Sequence, residues 1–486
     1  QACQRSSSAN APRETLVPGS TMASFLSEQR GSGILLSTHR LSKVESFQAL
    51  QFDKKPNAPA VWPAVLTSAM HSVSLGAALM SWIEVCKEVV GQDRQDVEVA
   101  AQTYYGRLLA VNGVCELVTS QLVGVVSDKH GRRPVQVAAQ LGQVVDYTLA
   151  AICLPTFGLI PQLKGSSAWY ALFVSRGIAG LLGNYKVSLQ SYTADISSAE
   201  ECPVRMAYLG GGIVVGMCGG AIVATSVKLA HFSFRASFVF ATLMNMAIIG
   251  VVMTKWHEIA PRKDYAWRDL NPFASVHLLG INKAMVMYSI LVFLSAFSLN
   301  MFSSTLLTYT TTFLKMSEAN FSALLLMWTL ESAACLGLVQ PFLVREVGEI
   351  ATLQVSFACM IVFYILFCLL TADNSSYAFV IMILFAMGSI CYPLAVSLAT
   401  REVPPELQGS LQGAVSVLET LAKIFAPVLA SDVIIPAYDE PGQFFGMVYL
   451  VAGLLLIPSI LPCQALYKLT SRIDPERTVM LEEISG

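Results

Sequence analysis

Charge is what this sequence has least of. Of its 486 residues only 13% are Asp, Glu, Lys or Arg, against roughly 25% in a soluble globular protein. Hydrophobic residues make up 54%, and the mean hydropathy is +0.57. A soluble domain is excluded; this is a polytopic membrane protein. The net charge of −2 carries no information about partners, because membrane proteins sort charge by side. Paired cysteines are absent too. The eleven cysteines include no CxxC and fall mostly in apolar runs, so they read as small buried side chains rather than a disulfide framework or metal site. The chain also lacks a P-loop, an HExxH motif and a nucleophile elbow. No cofactor, metal, nucleic-acid partner or enzymatic activity is expected.

What the chain has in quantity is apolar runs. From residue 59 onward they are 18–28 residues long in the main, each enough to cross a bilayer. Twelve are placed at about 60–83, 101–126, 135–160, 168–194, 206–227 and 236–255, then 284–313, 319–344, 350–371, 376–399, 408–431 and 443–467. The longest break follows the sixth. The expected domains are a polar N-terminal extension (1–58), a six-helix bundle (59–255), a charged linker (256–283), a second six-helix bundle (284–467) and a short tail (468–486). The sequence opens on Gln1 rather than Met, as a processed or partial chain would. The Ser-rich stretch 1–58 fits either the remnant of an organellar targeting segment or a cytoplasmic tail.

One polar stretch organises the rest: Gly124-Val-Val-Ser-Asp128-Lys129-His-Gly131-Arg132-Arg133-Pro134. Between two membrane-length runs it reads as a tight hairpin. Gly124 lets a neighbouring helix approach its backbone. Asp128 can accept from Arg132 or face the positive end of another helix. Gly131 permits the turn, and Pro134 suits the first position of the next helix. Lys129, Arg132 and Arg133 give the loop three positive charges. By the positive-inside rule these, with Arg262, Lys263, Arg268 and Lys283 of the linker, put both termini on the cytoplasmic side or its organellar equivalent. The halves also echo one another. Helix 2 ends in Asp128-Lys-His-Gly131 and helix 8 in Arg345-Glu-Val-Gly348. Helix 4 ends in Ala194-Asp195, and helix 10 in Thr400-Arg401-Glu402. Such repeats mark carriers whose two bundles rock about a central site.

Over residues 60–467 the chain resembles the major facilitator superfamily, and within it the tetracycline/proton antiporter-like (drug:H+ antiporter) branch. The hairpin carries the resemblance, with Tyr105-Gly106, Val145-Asp146-Tyr147, Ser175-Arg176 with Ala179-Gly180, and Ala194-Asp195-Ile196. The segment Pro404-Pro-Glu-Leu-Gln408-Gly409-Ser-Leu-Gln412-Gly413 opening helix 11 completes it. The resemblance implies an all-α fold of two pseudo-symmetric six-helix bundles and proton-coupled transport of a small organic solute. It departs from the family pattern in three places. His71 stands where helix 1 carries an acid, Gly216-Met-Cys-Gly-Gly220-Ala221 lacks the helix 5 proline, and residues 351–370 of helix 9 hold no acid.

Charges inside the bilayer cost roughly 2.5–3.5 kcal/mol each on insertion scales and so demand partners or a function. Asp146, near the middle of helix 3, is expected to be protonatable or substrate-facing; its alternative is a carboxylate locked to a fixed donor. Glu116 and Lys186 are expected to pair with each other or with Asp146, or Lys186 serves as counter-charge to an anionic solute. Glu331 and Lys423 form a comparable couple in the C-terminal half, unless Lys423 snorkels. His71 is either a titrating group or a satisfied hydrogen-bonding residue. The resemblance further implies a gate at predicted helix ends from Arg176, Asp195, Arg205 and Arg401 with Asp128 and Arg132; end-capping is the competing reading.

Two functions follow. One is a secondary active transporter of a small organic solute, coupled to protons and working by alternating access. The other, motivated by the three departures, is a transport-inactive subunit of a larger membrane complex with partner subunits.

Overall fold

The computed structural model describes residues 60–79, 81–91, 96–154, 162–183, 185–197, 202–230, 232–258, 275–403, 408–438 and 446–473. The N-terminal extension, most of the linker and the tail after 473 lie outside them. In a bilayer the backbone must satisfy its own hydrogen bonds, and apolar runs of membrane length do so as helices. The described residues group into twelve. The first half holds α1 (Trp62–Leu79, continuing as Ser81–Val90), α2 (Val97–His130) and α3 (Arg132–Cys153). It is completed by α4 (Gly165–Leu182, continuing as Tyr185–Asp195), α5 (Cys202–Leu229) and α6 (Phe234–Lys255). The second half holds α7 (Lys283–Thr308), α8 (Glu318–Ala334, continued to Glu346), α9 (Glu349–Cys368) and α10 (Tyr377–Gly388 and Cys391–Thr400). It ends with α11 (Gln408–Val428) and α12 (Met447–Leu456 and Ile460–Ile473).

Nine of these stretches are long and apolar enough to cross a membrane on length and composition alone. The other three are α2, α3 and α4. Those three carry the charged residues Arg107, Glu116, Asp146, Arg176 and Lys186. Breaks within helices follow proline chemistry. Pro393 lacks an N–H and its ring crowds the carbonyl four residues back, at Ser389, and α10 is interrupted at Ser389–Ile390. Pro458 breaks α12 in the same way. Pro341 follows a π-helical turn at Cys335–Val339.

The packing repeats between halves. In the first half α1 packs on α5, α3 on α6, α2 on α4 and α3 on α4. In the second, α7 packs on α11, α9 on α12, α8 on α10 and α9 on α10. The halves meet along α2–α11 and α5–α8, which exchange under the same six-helix shift. The all-α fold of two pseudo-symmetric six-helix bundles is therefore as expected. On the α1–α5 contact, a methyl at Gly220 would sit 2.6 Å from the Val73 carbonyl oxygen and 2.7 Å from Gly76 Cα. The helix 5 glycines thus keep their close-packing role without the proline.

The hairpin differs from the expected loop. α2 runs through Gly124, Asp128 and Lys129 to His130, and α3 begins at Arg132. The connection is a single residue, Gly131, at φ +102° and ψ 159°, a conformation that residues with a Cβ avoid. Pro134 is consequently the third residue of α3 rather than the first. It is tolerated because the opening N–H groups of a helix have no intrahelical acceptor. Gly348, between α8 and α9, adopts φ +89° and ψ 164°. The sequence echo is thus a backbone echo. Trp62 is half exposed, as an interfacial anchor would be, but Trp82 is buried and belongs to the interior described below.

Candidate functional site

Asp146 comes from α3 with no exposure. Its Oδ2 lies 3.2 Å from Arg176 Nη1, and its Oδ1 accepts from Ser175 Oγ at 2.8 Å. The Arg176 guanidinium in turn sits 3.6 Å from the centre of the Trp82 ring, a cation–π arrangement. This corrects one expectation: Arg176 is not at a helix end in a gate but within the first segment of α4. Of the two readings of Asp146, the contacts favour the carboxylate held by fixed donors, tying α3 to α4.

The seam holds other charges. Lys423 Nζ of α11 lies 2.6 Å from Glu116 Oε2 of α2. Lys186 Nζ of α4 lies 3.2 Å from Glu419 Oε2 of α11, with Oε1 at 3.5 Å. Both pairs cross from one half to the other. The expected pairing of Glu116 with Lys186, and of Glu331 with Lys423, is therefore replaced by crossed partners, because α2 faces α11 and α8 does not. Glu419 was missed. Its signal was present: it stands four residues before Lys423, so both project from one side of α11. Lys186 and Glu116 are within electrostatic reach of one another and of the Tyr185 hydroxyl, so the four charges form one alternating cluster.

Beside it, the His71 and Tyr185 rings lie 3.6 Å apart. His71 Nδ1 is 3.4 Å from Gln140 Oε1, and both residues are buried. His71 thus has a fixed environment. Glu331 sits in α8, with Oε2 buried and no hydrogen-bond partner among the described residues. It is not brought to the cluster by any recorded contact.

Toward the end of α2 remote from the hairpin, the seam is closed. Arg107 Nη2 meets Asp432 Oδ1 at 2.7 Å. Gln102 donates to the Ser304 carbonyl at 2.9 Å and accepts from Thr308 Oγ1 at 2.6 Å, while Thr103 Oγ1 donates to the Ser431 carbonyl at 3.1 Å. A methyl at Gly106 would sit 3.1 Å from the Pro427 carbonyl oxygen, and one at Gly113 2.7 Å from Ile424 Cγ1. Lys186, nearest the hairpin among the seam charges, has 47% of its side chain exposed.

At the hairpin end, Arg132 Nε meets Asp195 Oδ2 at 2.8 Å and its Nη1 donates to Ser127 Oγ at 3.0 Å. Arg401 Nη1 meets Glu349 Oε1 at 2.7 Å. Arg205 Nη1 donates to the Ile196 carbonyl at 2.8 Å. These two ion pairs are counterparts, α3 to α4 and α9 to α10, and each joins helices of one half rather than bridging the halves. An unforeseen participant is Glu258, just beyond α6. Its carboxylate accepts from the backbone N–H of Arg132 at 3.0 Å and of Arg133 at 3.1 Å, neutralising the N-terminus of α3. Lys129 is exposed. The side chains of Asp128 and Gln408, and the surroundings of Gly124 and Gly409, lie outside the described residues; Gln412 is exposed and Gly413 half-buried.

Two helical bundles meeting along a seam that carries paired charges and is closed at one end are the architecture of secondary transporters. The major facilitator superfamily model matches residues 58–427, and the chain belongs to that family. It is 24% identical over 374 residues to the class C tetracycline resistance protein of Escherichia coli, covering 75% of this chain and 87% of that protein. Against the class B protein of the same organism it is 24% identical over 339 residues, 67% and 78% of the two chains. Among solved structures, that of the human organic anion transporter MFSD10 (TETRAN) superposes with a TM-score of 0.63 at 15% identity, covering 83% of this chain and 98% of that one. That likeness concerns the fold.

Proposed function

We propose that this chain carries a small organic solute by alternating access, coupled to protons, with the hairpin end on the cytoplasmic side. The observation that carries the reading is the pair of crossed ion pairs, Glu116–Lys423 and Lys186–Glu419, at mid-length on the seam. A carrier's halves must part there, so the groups joining them must be releasable. Protonation of Glu116 removes one charge of its pair, loosening Lys423 without breaking either half internally. The relatives named for tetracycline resistance favour a small organic cargo, and the resemblance to the drug:H+ antiporter branch favours exchange of that cargo for protons. The charges of Lys129, Arg132 and Arg133 favour the cytoplasmic placement of the hairpin. Asp146 and Arg176 act as a positioning pair inside the first half, not as the proton site.

The test uses purified chain in proteoliposomes with an internal pH-sensitive dye, challenged with tetracyclines, organic anions, sugars and amino acids. At least one solute is expected to move protons, and Glu116→Gln is expected to abolish that signal while leaving solute exchange in place. Solute movement without protons in the wild type would overturn the coupling. Proton movement unchanged in Glu116→Gln would overturn the assignment to Glu116.

A further inference from the structure

The charge cluster on the seam is neutral in sum but uneven in access. Lys186 is the most exposed of the four side chains at 47%, followed by Lys423 at 33%; the carboxylates of Glu419 and Glu116 are 26% and 21% exposed. In both pairs the lysine side chain is the more exposed partner. The two pairs are unequal as well. Lys423–Glu116 closes to 2.6 Å, whereas Lys186 holds Glu419 at 3.2 Å and 3.5 Å. An ammonium has three donors, so Lys186 keeps donor capacity turned away from Glu419. Next to it in the chain, the half-buried Tyr185 ring lies against His71, with its hydroxyl in electrostatic reach of Lys186 and Glu116.

We propose that the gap binds a planar organic anion whose carboxylate displaces Glu419 from Lys186. This rests on the carrier reading given above and names the cargo of the same site. The exchange keeps Lys186 paired but adds one negative charge to the cluster, and that charge falls on the released Glu419 carboxylate, whose side chain is 26% exposed. An entering cation has to compete with Lys186 for Glu419, the less exposed member of the pair. When the anion takes Lys186, Glu419 is freed from the first half, and the seam loses the pair nearest the hairpin. Binding and loosening of the seam are then one event.

Competition makes an asymmetric prediction. Removing the competitor, in Glu419→Gln, is expected to tighten anion binding by a few-fold, up to about fivefold, the scale of one partly exposed ion pair. Removing the receptor, in Lys186→Gln, is expected to abolish binding, and Lys186→Arg to retain it. The probes are salicylate and indole-3-acetate, with affinity read by thermophoresis on full-length chain in detergent and translocation read separately in proteoliposomes. A purely structural ion pair predicts that Glu419→Gln and Lys186→Gln shift affinity in the same direction, and that result overturns the proposal. Weaker binding in Glu419→Gln, or no binding of either probe by the wild type, overturns it too. If binding follows the predicted signs but wild-type vesicles translocate nothing, the anion site stands and the carrier reading falls.

Discussion

At the scale of single residues, the sequence marked the important charges but not their partners. Glu116, Asp146, Lys186 and Lys423 stood out because each interrupts an apolar run. Which charge meets which depends on the helix faces that come together, and one chain's spacing does not encode that. Lys423 therefore found Glu116 rather than Glu331, and Glu419 was passed over although it lies one helical turn from Lys423. Asp146 shows the opposite case: its mid-helix position was legible, while its seal against Arg176, Ser175 and Trp82 was visible only in three dimensions. That seal makes a prediction. Asp146→Asn leaves the buried Arg176 cation without a counter-charge, which in soluble proteins costs about 3–5 kcal/mol. A clear fall in the thermal midpoint of detergent-solubilised protein is expected. Asp146→Leu combined with Arg176→Met removes both charges and should recover most of the loss. Wild-type stability in Asp146→Asn with loss of proton movement would instead return Asp146 to the transport pathway.

At the scale of elements, the runs located the helices well, because membrane length and apolarity leave a segment few alternatives. Their ends were less legible. The hairpin motif reads as a loop by composition, yet Gly124 to His130 continue α2, since charged side chains at a helix end can reach the membrane surface without unwinding the backbone. The structural demand falls on Gly131 alone, and its counterpart Gly348 allows a comparison. Both have backbone angles that disfavour a side chain. A methyl at Gly131 would also meet the Glu258 carboxylate, 3.0 Å from its Oε1, whereas one at Gly348 would meet nothing within 4 Å. Alanine at either position should lose about 1–3 kcal/mol from backbone strain. Gly131→Ala should lose more, because it also dislodges Glu258 from the start of α3. Thermal unfolding of the two variants side by side checks this; equal losses would remove Glu258 from the account.

At the scale of the whole molecule, the six-plus-six plan was legible from the long charged break and from the echoed helix ends. The seam was not, because α2 and α11 are some 300 positions apart and meet only through the fold. Its closed end depends on Gly106 and Gly113, which let α11 come against α2. Gly106→Leu should force that end apart and favour the alternative conformation. In a background without reactive cysteines, a single cysteine at Gln102 should then label faster with a membrane-impermeant thiol reagent applied from that side. Unchanged labelling would show that the glycine is not what sets the closure.

The crossed pairs on the seam bear on how far the two halves can vary independently. Each half brings one acid and one base: Glu116 and Lys186 from the first, Lys423 and Glu419 from the second. Neither half is charged overall at the contact, yet each matches only a partner with the opposite arrangement. A chimaera joining residues 59–255 of this chain to the second half of a relative lacking the two α11 charges would assemble with its charges facing unmatched groups. Placing a glutamate and a lysine in that half at the positions of Glu419 and Lys423 would restore the match. The halves are modular in shape but keyed to each other in charge.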